Sequence, residues 1–387
     1  MALLNLLPES PDRDRRELEH RQLVRGMLWT TKGFATPETT DAIERATALA
    51  EKTGNLTQLL NLALAKGVNA MNAGNLPVAG ALAEEALDLA LRQDNPIFVG
   101  VAHTFQVMAR HFSADLDGAE KHYTAGLKFF EDPSFKLTRE PRLSAFAYAS
   151  WNAWMLGRAD VARERMARMM VNESNPYDVA LSGYYLAYLK VYLREYKQAE
   201  ILAERTLELS DKNQFQQFGA ISRCVLGQAR AQVGGAGIEL IRRGIADLLK
   251  AGAHRDIGYC TGFLAQAQAR DGAIVEALET IEQALRANPD EPVHTPEIIR
   301  VRGELRFAHG QTELAQADFR EAIALAQKMG AKAWELRATL SLTRLLVKQG
   351  RRDEARTLLA GIYGWFTEGF DTPDLKDAKA LLNELSQ

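Results

Sequence analysis

Glycines punctuate this 387-residue chain at a near-constant interval, and that interval constrains the fold more than any other feature. Gly74, Gly157, Gly234-Gly235, Gly272, Gly310 and Gly350 each follow a stretch long enough for a helix of about four turns. Between them Ala, Leu, Glu, Arg and Gln dominate, apolar residues recur at three- and four-residue spacing, and β-branched alternation is rare. The chain therefore reads as all-helical. Used as a ruler, the glycines expose a repeat. Five residues after Gly74, Gly157, Gly272, Gly310 and Gly350 stand Ala79, Ala162, Ala277, Ala315 and Ala355. Nine residues after them come Ala83, Met166, Ile281, Phe319 and Leu359, and at the twelfth place Ala86, Ala284 and Ala322. These offsets share one helical face, where small residues let two helices approach and the larger one fills the gap to the next pair. Seven residues before the glycine, Gly67, Ser150, Ala265 and Gly303 supply the matching small surface in the preceding helix.

Two helices packed antiparallel about a glycine turn, over and over, resemble the tetratricopeptide repeat. The resemblance implies a right-handed α-solenoid with a C-terminal capping helix. Helix pairs are expected at about 56–91, 96–131, 139–172, 176–211, 214–251, 256–287, 295–329 and 332–367, within an array spanning 56–372. A closing helix is expected near 373–385, within a cap of 373–387. Residues 1–55 form a degenerate N-terminal repeat, with helices at 10–30 and 38–53 and Thr40 or Asp41 as N-cap. The second and fourth pairs lack the turn glycine and are assigned by analogy.

A closer resemblance lies at the C-terminus. Ala333-Trp-Glu-Leu-Arg-Ala-Thr-Leu-Ser-Leu-Thr-Arg-Leu345, followed by Tyr363-Gly-Trp-Phe-Thr-Glu-Gly-Phe-Asp-Thr-Pro-Asp-Leu-Lys-Asp-Ala-Lys-Ala-Leu-Leu382, looks like the end of a group of bacterial multidomain signalling proteins. In these a class III adenylate/guanylate cyclase or a DNA-binding domain precedes a P-loop ATPase, and a tetratricopeptide array finishes the chain. Thr31-Lys-Gly-Phe34 also resembles a recurring point near the start of that array. The match covers the array only. The opening Ala2-Leu-Leu-Asn-Leu-Leu7 reads as the last turns of an earlier helix, so the chain is expected to be the C-terminal portion of a longer protein.

Composition narrows the function. With 47 Lys+Arg against 50 Asp+Glu the net charge is -3, which leaves no global positive field for a phosphate backbone, so nucleic acid is not expected as a partner. No apolar window is long enough to span a bilayer, and no basic segment precedes the opening apolar run. Cys224 and Cys260 are too few for a disulfide framework, consistent with a reducing cytoplasm. A P-loop needs Gly-x4-Gly-Lys-Ser/Thr, and no such string exists; Gly234-Gly-Ala-Gly237 reads as a helix-helix turn. The seven histidines never form a His-x3-His pair, and Cys260 with His254 lacks a third orienting group. No catalytic residue, metal or cofactor is expected.

What remains is surface. In the tetratricopeptide pattern the first helix of each pair lines a concave groove, with the residue after its small packing position pointing inward. Counting places Trp151, Tyr188, Gln228, Gln266, Glu304 and Arg344 there, with Asn61, Tyr184, Tyr259, Arg300 and Arg337 at related positions. Aromatic and arginine side chains carry much of the energy at interfaces. Trp151, Trp154, Tyr184, Tyr185, Tyr188 and Tyr192 exceed what one helix face buries, so Trp151 and Tyr188 are expected to stay partly accessible in the groove. The leading expectation is a non-enzymatic scaffold that binds a protein or peptide segment in the groove and regulates an ATPase or cyclase domain of the same protein. The alternative is a stand-alone peptide receptor with a closed polar pocket, for which Asn61, Asn69 and Asn72 are candidates.

Overall fold

The computed structural model describes residues 8, 10–53, 56–138, 140–169 and 175–386. The opening apolar run lies outside the described residues. Among the described residues the chain is all α-helical, with nine antiparallel pairs and a closing helix. The pairs are α1 (Pro11–Thr31) with α2 (Pro37–Thr53), α3 (Leu56–Asn72) with α4 (Leu76–Gln93), and α5 (Pro96–Phe112) with α6 (Leu116–Phe130). Next come α7 (Glu140–Met155) with α8 (Ala159–Ala167), α9 (Pro176–Tyr192) with α10 (Tyr196–Asn213), and α11 (Gln216–Gln232) with α12 (Ile238–Lys250). Then α13 (Ile257–Arg270) pairs with α14 (Ile274–Ala287), α15 (Thr295–Ala308) with α16 (Thr312–Lys328), and α17 (Lys332–Lys348) with α18 (Arg352–Tyr363). The closing helix is α19 (Pro373–Leu385). The architecture is a right-handed solenoid of tetratricopeptide-like repeats.

The glycine ruler marks a real backbone position. Gly74, Gly157, Gly272, Gly310 and Gly350 all sit at φ between 77° and 86°, the left-handed region open to glycine at no steric cost. In the two pairs without a glycine, Ala114 (φ 59°) and Arg194 (φ 58°) take the same conformation at the same place. The alanines five residues later, Ala79, Ala162, Ala277, Ala315 and Ala355, are completely buried, as are Ile281, Phe319 and Leu359 at the ninth place. Gly303 lies so close to Phe319 that a Cβ there would stand 2.5 Å from the ring. One cap differs from expectation. Pro37 begins α2, Thr36 precedes it and its Oγ1 accepts the N–H of Thr39, while Thr40 and Asp41 lie inside the helix.

The solenoid is wound tightly enough for successive turns to touch. The carbonyl of Asn72 accepts the N–H groups of His254 (2.8 Å) and Arg255 (3.1 Å), and the Asn72 side chain accepts from Gln217 Nε2 at 2.7 Å. Gln217 Oε1 in turn accepts the N–H of Phe34 at 3.2 Å. These bonds bring the first two pairs against the sixth and seventh. Farther along, Glu368 Oε1 accepts the N–H groups of Asp160 (2.8 Å) and Val161 (3.1 Å), and Arg163 bonds Asp371 at 2.9 Å, joining the fourth pair to the ninth. The closing motif therefore acts as a clasp on α8, a helix whose N-terminus has no side-chain cap of its own.

Candidate functional site

Tight winding turns the concave face inward, and an aromatic layer fills its middle. Trp151 on α7 meets Tyr148, Tyr184, Tyr185, Tyr188 and Tyr192 with ring centroids 5.0–6.0 Å apart, mostly edge to face. Trp154 stacks on Tyr192 at 4.7 Å and meets Trp334 edge-on at 4.7 Å. Tyr259 stacks on His294 at 4.0 Å. The expected accessibility of Trp151 and Tyr188 is therefore corrected: they are 1% and 0% exposed, and Trp154, Tyr184, Tyr185 and Tyr192 are buried as well. The reason is the second wall. Helices of the later turn, carrying Tyr259, His294 and Trp334, cover rings that an open groove would have left bare. Tyr259 and Gln228 belong to the same buried layer, so neither is a groove contact; Gln228 Nε2 donates to Gln266 Oε1 at 3.3 Å.

On either side of this layer lies a chamber. The lower one, about 420 Å³, is lined by Gln266, Arg300, Glu304 and Arg344 of the expected set, together with Arg337. Most of its charges are already paired. Arg300 holds Glu297 through two 2.8 Å bonds and reaches Glu304 at 3.2 Å, Arg337 holds Asp374 at 2.9 Å, and Arg194 bridges Asp374 and Asp377. Arg344 and Arg270 are exposed, the former 3.6 Å from Asp377 and the latter bonded to Gln232.

The upper chamber, about 220 Å³, is walled by the first helices of six successive pairs: α1, α3, α5, α7, α9 and α11. Asn61 and Tyr184 are the expected residues found there. One wall is apolar, with Leu64, Val68 and Met71 from α3 and Val101, Phe105 and Met108 from α5. The facing wall is polar, because Glu140, Ser144 and Tyr148 follow each other at four-residue spacing down one face of α7. Ser144 Oγ bonds Tyr185 OH at 2.9 Å, and Tyr148 OH accepts from Arg255 at 2.9 Å. Of the two further asparagines, Asn69 lies outside the lining and its Nδ2 donates to the Phe34 carbonyl at 2.9 Å, while Asn72 lines the chamber with its side-chain oxygen engaged by Gln217.

The electrostatics of this chamber are unusual for a repeat interior. Arg25 lies over the Trp29 ring at 4.6 Å, its Nε has no hydrogen-bond partner, and burial lowers its pKa against the opposing pull of Glu140. Burial raises the Glu140 carboxyl to about 7, outweighing Arg25 and a hydrogen bond from Tyr177. Trp29 Nε1, Tyr184 OH and Asp256 Oδ1 are buried chamber-wall atoms without partners. An unpaired polar atom in such a wall costs about 1–3 kcal/mol, which a ligand offering the complementary group recovers. Behind the floor, Asp256, Glu291 and His294 are all buried; the Asp256 N–H donates to Glu291 Oε2 at 3.0 Å, and His294 Nε2 lies 2.8 Å from Tyr192 OH. Arg255 supplies the compensating charge, 3.3 Å from Asp256. Cys224 and Cys260 are free and buried, and burial raises the Cys260 thiol well above its usual range.

Arg25, Trp29 and Glu140 are not legible in the sequence, because α1 matches the repeat pattern only weakly and the turn-to-turn closure that brings it over α7 leaves no local signal. Phe34 was the available hint.

Likeness to solved structures fits this geometry. A Rap protein complexed with competence and sporulation factor superposes with a TM-score of 0.56 at 11% identity, over 84% of this chain and 97% of that one. A signal transduction ATPase with numerous domains and a tetratricopeptide repeat sensor, from Pyrococcus horikoshii, superposes with a TM-score of 0.50 at 14% identity, over 97% of this chain and 54% of that one. At such identities the likeness is one of fold. No protein-family model matches the chain, and no curated protein matches it in sequence. No helix among the described residues is long and apolar enough to cross a membrane.

Proposed function

We propose that this chain is a non-catalytic receptor that takes a short peptide into its upper chamber and passes the binding event on as a change in the solenoid. The observation that carries the reading is the chamber itself: an apolar wall facing a polar one, with unpartnered donors and acceptors between them. A peptide matches it because the backbone supplies both kinds of hydrogen-bonding group and the side chains supply apolar surface. The Rap likeness supports the same reading, since that protein was solved with a factor bound.

The receptor is further proposed to be the cytoplasmic sensor region of a signalling protein, acting on an ATPase or nucleotide cyclase. The closing motif and the sensor-bearing ATPase from Pyrococcus horikoshii support this extension. Binding across six first helices stabilises the tightly wound state relative to an opened one, which is the differential affinity that any ligand-driven switch requires.

The test is affinity selection of random pentapeptides by the purified chain, read by mass spectrometry, followed by amide exchange on the retained set. Slowed exchange in α3, α5, α7 and α9 is expected. A chain that retains no peptide, or protection confined to the outer helices α4, α6 and α10, contradicts the proposal.

A further inference from the structure

We propose that the upper chamber recognises its ligand through a single carboxylate, seated between Arg25 and Trp29 of α1 and Asn61 of α3. The inference rests on the peptide-receptor reading and names the chemistry of the contact.

Register places the three groups together. Helices α1 and α3 are the first helices of neighbouring pairs and run parallel, and the side chains of Gln22 and Gln58 bond across them. Three residues beyond each partner of that bond stand Arg25 and Asn61, side by side on the chamber wall, with Trp29 one turn further along α1. Each keeps part of its surface accessible, whereas Tyr184, Arg255 and Asp256 are buried. The seat therefore lies toward the entrance and the buried groups form the floor.

All three groups present donors. The guanidinium forms no hydrogen bond or ion pair among the described residues, the Trp29 indole N–H has no partner, and the Asn61 carboxamide is likewise free. Arg302 and Arg306, by contrast, both hold the buried Asp318. The guanidinium carbon lies 4.6 Å over the Trp29 ring, and a guanidinium is the group that binds a planar carboxylate through two bonds.

The charge balance selects one negative charge rather than two. Arg255 is matched by Asp256, so Arg25 is the cation left to a ligand. Glu140 faces the same space, and behind it the Tyr177 hydroxyl and Asp178 of α9 act on its carboxyl. A carboxylate is compatible with a protonated Glu140 beside it, while a phosphate dianion meets repulsion that one guanidinium does not offset.

Three pentapeptide libraries distinguish where the carboxylate comes from: free-acid peptides without Asp or Glu, the same peptides as C-terminal amides, and amides that contain Asp or Glu. Retention of the first or the third library, with loss of the second, is the expected result, and which of the two is retained identifies a terminal or side-chain source. Equal retention of amides lacking Asp and Glu overturns the carboxylate seat while leaving the peptide receptor standing. Retention of none overturns both. Arg25→Gln is expected to weaken the retained peptides at least tenfold, with Arg25→Lys intermediate, and helical circular dichroism and melting confirm that both variants fold. Undiminished affinity in a folded Arg25→Gln chain overturns the assignment.

Discussion

The carbonyl oxygen of Asn72, at the end of α3, accepts the backbone N–H of His254 at 2.8 Å, although four helix pairs lie between the two along the solenoid. That bond and its neighbours through Gln217 convert an open concave face into a chamber. They also explain why Trp151 and Tyr188 serve as core: the opposite wall arrives from the next turn.

The closing motif makes the second such contact, and its contribution is measurable. Glu368 caps α8 from the far end of the array, so Glu368→Ala is expected to cost about 1 kcal/mol in urea unfolding, the usual value of a lost helix cap. Amides at the start of α8 should exchange faster. Wild-type stability and exchange in the variant contradict the clasp.

Ala114 holds a left-handed turn that glycine holds in six other pairs. Ala114→Gly relieves a conformational cost of about 1–2 kcal/mol and adds about 0.5–1 kcal/mol of unfolded-chain entropy. A gain of about 0.5–1 kcal/mol is expected from chemical denaturation, and a loss of similar size contradicts the equivalence of the turns.

The repeat was legible because small residues at fixed offsets from a glycine are a local consequence of two helices touching. Ala79, Ala162, Ala277, Ala315 and Ala355 could be placed in the interface by counting alone, and all are buried. The superhelical closure was not legible, because it depends on small rotations accumulated over five pairs and on isolated polar residues such as Gln217 and Asn72. Hence the groove list divided. Asn61 and Tyr184 line one chamber, Gln266, Arg300, Glu304 and Arg344 line the other, and Trp151, Tyr188, Gln228 and Tyr259 lie in the layer between. Arg25 and Glu140 were missed for the same reason, since nothing in α1 announces that it faces α7.

Gly303 tests the packing phase of the seventh array pair. A side chain there drives into Phe319, so Gly303→Leu is expected to destabilise by about 1–3 kcal/mol or more. A melting curve superposable on wild type contradicts that phase.

Glu140 makes stability depend on pH. Its carboxyl is raised from 4.5 to about 7, so within that window the folded chain keeps a proton that the unfolded chain has lost, and stability falls as pH rises. Asp256, raised to about 6, acts with the same sign. Glu140→Gln stays neutral throughout. Its urea midpoint relative to wild type is expected to be higher at about pH 8 than at about pH 5. A difference independent of pH contradicts the burial of this carboxyl.

The most direct test of a ligand-binding chamber is to fill it. Val68 lies on the apolar α3 wall, and Val68→Trp places an indole in the space assigned to the peptide while leaving Arg25, Trp29 and Asn61 intact. Retention of the pentapeptide libraries is compared between wild type and a Val68→Trp chain of unchanged helicity and melting temperature. The account predicts that wild type retains peptides and the filled variant does not; equal retention by both places binding elsewhere on the solenoid and contradicts it.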